Sequence, residues 1–88
     1  MNNEMSSARP NFEYPCAWGY SLIAGQESHI HLAIRQTFGQ HPVQIGELRK
    51  SSGGRWCAVN IDTTVTDESQ RQGFLETLRK CVGIRYVL

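Results

Sequence analysis

Seven consecutive residues, Arg49-Lys50-Ser51-Ser52-Gly53-Gly54-Arg55, set three cations around a glycine pair. That composition lets successive backbone amides close into an anion-binding nest. A strand pattern follows it where a phosphate-binding P-loop would open a helix, so the P-loop chemistry is excluded on spacing. A charged turn that only keeps a hairpin solvated is the competing reading. Nucleophilic chemistry would need a cysteine or serine with a base in reach. Cys57 and Cys81 fall on the apolar parity of a strand and a helix, where a thiol is an inert small hydrophobe. Cys16 lies ahead of the first strand pattern and is the one candidate for a reactive thiol. His29 and His31 suggest a metal pair, but helix positions two apart point in different directions and cannot share an ion. His41 precedes Pro42 in a loop with no evident partner. Asp67 and Glu68 are explained by helix-end electrostatics, and Asp62 is a lone acid on a wet strand face. No catalytic residue, metal site or cofactor motif emerges, and the expectation is a protein that is not an enzyme.

The elements that position these residues are legible from periodicity. Cys57, Val59, Ile61, Thr63 and Val65 alternate with Ala58, Asn60, Asp62 and Thr64, the period of a strand with one buried face. The Ser-Ser-Gly-Gly cluster before it makes Leu48 to Val65 a hairpin. Trp18, Tyr20, Leu22 and Ala24 predict a first strand with the larger residues inward. Gly25 ends it, and Gln26-Glu27-Ser28 opens a helix with Ile30, Ala33, Ile34, Thr37 and Phe38 on one stripe and Gly39 as its stop. In Val43 to Lys50, Val43 and Ile45 share one parity and Leu48 the other, which predicts a bulge near Gly46 or one exposed apolar residue. Thr66 or Asp67 caps a second helix whose buried stripe is Phe74, Leu75, Leu78, Cys81 and Val82. Gly73 inside it suggests a close contact. Ile84 to Leu88 is a last short strand.

The order βαββαβ predicts an α+β, ferredoxin-like sandwich: a four-stranded antiparallel sheet of order 4-1-3-2 with two helices on one face. The other face is open and by parity carries Gly19, Ser21, Ile23, Trp56, Ala58, Asn60, Asp62, Thr64, Arg85 and Val87. Trp56, Ile23 and Val87 would form an apolar contact patch there. A strand slip of one residue would bury Trp56 instead.

The chain has 88 residues, enough for one domain, expected over residues 13 to 88 behind a polar tail at 1 to 12. A net charge of +1 implies no overall field toward nucleic acid or membrane. Three cysteines without a C-x-x-C pair are not a disulfide framework, and no apolar run is long enough to span a bilayer. A cytoplasmic, bacterial-type protein with reduced thiols is expected.

Tyr14-Pro15-Cys16 before the first strand, Ser51-Ser52-Gly53-Gly54-Arg55-Trp56 with Val59, and the ending Ile84-Arg85-Tyr86-Val87-Leu88 together resemble the YbeD-like family of small bacterial proteins. The resemblance runs from about residue 14 to 88. Gly53 stands where the family's loop has lysine, Trp56 where it has tyrosine and Tyr86 where it has methionine. The resemblance implies a ferredoxin-like fold similar to ACT domains and brings no established reaction. ACT-like use of the first strand-to-helix turn would make Gly25, Gln26 and Glu27 ligand contacts for a small metabolite. The partner or anion patch is expected at Arg49, Lys50, Ser51, Ser52, Arg55, Trp56, Asn60 and Arg85.

The expected function is thus a small non-enzymatic binding or regulatory domain. It would meet a protein partner, or a second copy, through the open face or an edge strand, or else take a small metabolite. The alternative is single-stranded nucleic acid, since RNA-recognition motifs share the βαββαβ order and stack bases on open-face aromatics. Trp56 is the one such aromatic by parity, and the low net charge weakens that reading.

Overall fold

Cross-strand alternation and two amphipathic helices resolve, in a computed structural model, into β1 (Cys16–Ala24), α1 (Glu27–Phe38), β2 (Val43–Ile45), β3 (Arg49–Lys50), β4 (Cys57–Val65), α2 (Glu68–Lys80) and β5 (Ile84–Val87). The structure describes residues 13–88, and the tail expected at 1–12 lies outside the described residues. The sheet is antiparallel throughout, ordered β2-β4-β1-β5 with β3 also on β4. This is the ferredoxin-like order expected, with the second strand split into β2 and β3.

The split has a local cause. Ile45 lies opposite Ile61, but Arg49 lies opposite Ala58, so the second strand carries one residue more than its partner. The bulge at Gly46-Glu47 turns Leu48 back toward the core, where it is half-buried. Gly46 donates to the Asn60 carbonyl at 2.8 Å, and a Cβ there would stand only 2.9 Å from that oxygen. Only glycine allows so close an approach of the two backbones.

The core joins Tyr20, Leu22 and Ala24 of β1 and Cys57, Val59 and Ile61 of β4 to Ile30, Ala33, Ile34 and Phe38 of α1 and Leu78 of α2. Both helices therefore cover one sheet face. Leu22, Ile30, Ile61 and Leu78 are fully buried, each contributing about 1.5–3 kcal/mol of transfer free energy. α1 ends at Gly39, whose N–H bonds the Arg35 carbonyl. α2 begins with a reciprocal pair of capping bonds. Asp67 accepts from the Gln70 N–H at 2.7 Å, while Gln70 Oε1 accepts from the Thr66 N–H at 2.8 Å.

Several expectations are corrected. β1 begins at Cys16, so this thiol belongs to the strand and lies opposite Val65. Val82 is exposed, because α2 stops at Lys80 and its stripe does not extend that far. Gly73 marks no close contact: nothing lies within 4 Å of where its Cβ would be. Ala58 lies on the open face as expected but is covered there, at 5% exposure. It is a small residue on a central strand, flanked by Ile23 and Arg49 on the adjoining strands.

Candidate functional site

On the open face the last strand departs from simple alternation. Ala24 faces Ile84, but Ile23 faces Tyr86 and Leu22 faces Val87, so Arg85 is the extra residue of a bulge. The bulge reverses the parity of everything after it. Val87, expected on the open face, is buried at 5% in the core. Arg85 is exposed at the bulge and does not share a cross-strand row with the patch. Tyr86 takes the open-face place beside Ile23 and is 63% exposed. Leu88 exchanges two 2.9 Å backbone bonds with Ser21, which sets it on the same face as Tyr86.

Trp56 is 44% exposed. A bond from the Ser51 N–H to its carbonyl continues the β3–β4 ladder and places it on the face opposite buried Cys57. The contact patch is therefore Trp56, Ile23, Tyr86 and Leu88. Beside it runs a polar row in which Ser21 Oγ donates to Asn60 Oδ1 at 2.7 Å and Arg49 Nη2 approaches the same oxygen at 3.5 Å. Arg49 thus turns to Asn60. Further along the face, Ala17, Gln44, Asp62 and Thr64 contribute to a shallow depression of mixed lining.

The hairpin turn uses its own hydroxyl where the anion reading would place a ligand. Ser51 Oγ accepts from the Arg55 N–H at 3.0 Å and the Trp56 N–H at 3.3 Å, and the Gly54 N–H goes to the Ser51 carbonyl. Two amides of that stretch, Gly54 and Arg55, and the Trp56 amide beside it are thereby satisfied internally. Lys50, Ser52 and Arg55 remain exposed around the turn.

The β1–α1 turn and the hairpin meet at one end of the sheet. A Cβ on Gly25 would stand 3.9 Å from the Arg55 carbonyl oxygen, so the Gly25-Gln26-Glu27 loop borders Arg55. Gln26 is the N-cap of α1 without a side-chain capping bond, and Glu27 pairs with His31 at 3.1 Å.

The remaining candidates are spread apart. His29 packs beneath Gly83, where an added methyl would overlap the imidazole ring, whereas His31 faces Glu27. His41 does have partners: its Nε2–H donates to the Thr64 carbonyl at 2.8 Å and its ring packs on Phe38 and Phe74. Cys57 is buried, Cys16 is half-buried, and the half-buried Cys81 thiol donates to the Thr77 carbonyl at 3.2 Å. Among the described residues, no group of three or more His, Cys, Asp and Glu forms a metal site.

A cluster missed by sequence reasoning anchors β1 beneath α2. Tyr20 Oη donates to the Arg71 carbonyl at 2.8 Å, and the Arg71 guanidinium lies 4.6 Å over the Trp18 ring. Burial raises the Tyr20 pKa above its ordinary value, partly offset by the Arg71 charge. The nearby Tyr14 hydroxyl holds the Arg71 guanidinium above the ordinary arginine value. Tyr14 Oη and Arg71 Nε are both buried without a hydrogen-bond partner among the described residues. Tyr20 and Arg71 lie 51 positions apart, and no local signal links them.

Comparison with known proteins follows the fold. A family model described as protein of unknown function (DUF493) matches residues 9–88. A solution structure of the Helicobacter pylori protein HP0495 superposes with a TM-score of 0.78 at 21% identity, covering 99% of this chain and 98% of that one. A second solution structure of HP0495 gives 0.64 at 23% identity, with 94% and 96% covered. The ACT domain of GTP pyrophosphokinase from Chlorobium tepidum gives 0.59 at 14% identity, covering 82% of this chain and 94% of that domain. A search of curated proteins returns no match.

Proposed function

The chain belongs to the family of proteins of unknown function DUF493, and on that premise we propose that it is a non-enzymatic, ACT-like binding or regulatory domain whose protein partner docks on the open sheet face. The fold alone carries no activity, because ferredoxin-like sheets host many unrelated functions. The observation behind the proposal is where the exposed apolar side chains fall. Of six exposed large apolar residues among those described, Trp56, Tyr86 and Leu88 share the face that no helix covers. Contiguous apolar surface on a folded domain marks an interaction site, and tryptophan and tyrosine dominate binding energy at such sites. The polar row of Ser21, Asn60 and Arg49 supplies the hydrogen-bonding rim.

A small metabolite at the Gly25-Gln26-Glu27 loop is the second reading, favoured by the contact of that loop with Arg55 at the same end of the sheet. Amide NMR of the labelled protein with amino acids, nucleotides and a short single-stranded RNA separates these readings. The docking proposal expects no saturable shift with any of them. An amino acid that moves Gly25 to Ser28 supports the metabolite reading. RNA that moves Arg55, Trp56, Asn60 and Tyr86 would replace the proposal with nucleic-acid binding. The proposed setting is the cytoplasm; no helix among the described residues is long and apolar enough to cross a membrane.

A further inference from the structure

β5 is an edge strand, hydrogen-bonded on one side to β1 and, among the described residues, open on the other. Ser21 and Leu88 exchange both backbone bonds, so in an antiparallel ladder the N–H and C=O of the preceding residue, Val87, point the opposite way, out of the sheet. A depression is lined by Arg79 of α2 together with Ile84, Arg85, Tyr86, Val87 and Leu88. That lining takes residues from both sheet faces, which places the depression on the outer edge of β5. Its two charged side chains are both cations. Arg79 and Arg85 are exposed, and neither side chain has an ion-pair or hydrogen-bond partner among the described residues. The opposite edge differs: it is broken by the bulge at Gly46-Glu47 and mixes Glu47 with Arg49 and Lys50.

We propose that the β5 edge receives an extended, acidic segment of a partner protein as an added strand, its backbone pairing with Val87 and its carboxylates meeting Arg79 and Arg85. This deepens the open-face reading and rests on it. Alternate side chains of an added strand fall on the open face, next to Tyr86 and Leu88. The charge selects the occupant. A second copy adding its own β5 edge would bring another Arg79 and Arg85 to the same seam, and like charges gathered there oppose that pairing. A segment alternating apolar with acidic residues satisfies the edge, the face and the cations together.

The test uses labelled full chain and two synthetic peptides of the same alternating apolar pattern, one with glutamates and one with lysines between the apolar positions. The glutamate peptide is expected to shift the Arg85, Val87 and Leu88 amides and protect the Val87 amide from exchange. The lysine peptide should bind about tenfold more weakly, the order expected for two exposed charge pairs turned repulsive. In the double variant R79E/R85E the preference should reverse, and because both side chains are exposed its spectrum should otherwise keep the parent pattern. Equal binding of the two peptides, or a β5 that the glutamate peptide leaves unshifted, overturns the proposal. Shifts confined to Trp56 and Asn60 overturn the edge pairing and leave the open-face reading standing. Concentration-dependent protection of Val87 without peptide would assign the edge to a second copy and overturn it as well.

Discussion

Replacing Gly73 by alanine is expected to stabilise the protein. Gly73 lies in the middle of α2 and is exposed, and nothing stands within 4 Å of the position its Cβ would occupy. The methyl group therefore meets no steric cost, and the gain comes from reducing the backbone freedom of the unfolded chain. An interior helix glycine costs about 0.5–1 kcal/mol relative to alanine. For a domain of this size about 1 kcal/mol corresponds to 4–8 °C, so the expected rise in Tm is about 2–8 °C. With a urea slope near 1 kcal/mol per molar, the midpoint should move up by about 0.5–1 M at unchanged slope. Thermal and urea unfolding followed by far-UV circular dichroism read both quantities. An unchanged or lowered midpoint would show that Gly73 faces a neighbour or that α2 is not helical there, and would refute the reasoning. Gly83→Ala is the internal control. It stands at φ +81° with the His29 ring in the path of a Cβ, so the same substitution should destabilise.

Asp67→Ala removes the acceptor of the Gln70 N–H and should cost about 1 kcal/mol, read from the same urea curves. Tyr20→Phe removes the bond to the Arg71 carbonyl and should cost about 0.5–1.5 kcal/mol at neutral pH. Because the folded Tyr20 pKa is raised, its stabilising contribution is complete below the ordinary value of 10.0 and is lost as pH climbs from there through the folded value. Urea midpoints measured across that range should fall less steeply in Tyr20→Phe than in the parent. Equal slopes would show that Tyr20 ionises as freely folded as unfolded.

The parts of the fold that were legible in the sequence are those with a local signature. The parity conflict between Val43 and Ile45 on one side and Leu48 on the other announced the Gly46 bulge. Gly39 and Asp67 marked helix ends through backbone needs that few other residues meet. β5 was misread beyond Ile84 because its bulge carries no glycine and the strand is too short for a period to reveal the slip. Val87 and Tyr86 consequently exchanged faces. The anion nest looked open because spacing does not show that the Ser51 hydroxyl turns back onto the Arg55 and Trp56 amides. His41 lacked an evident partner because Phe38, Phe74 and Thr64 come from three separate elements. Trp56 was placed on the open face by alternation from Cys57, and its exposure agrees.

The open face as docking surface is tested most directly by a photo-crosslinking residue placed at position 56 in the full chain within its native cell. The same group at Glu76, exposed on α2, serves as the control. A discrete adduct from position 56, absent from position 76 and reduced by Tyr86→Ala, is the result predicted. The same adducts from both positions, or none from 56 alongside a discrete one from 76, would contradict the assignment of the open face.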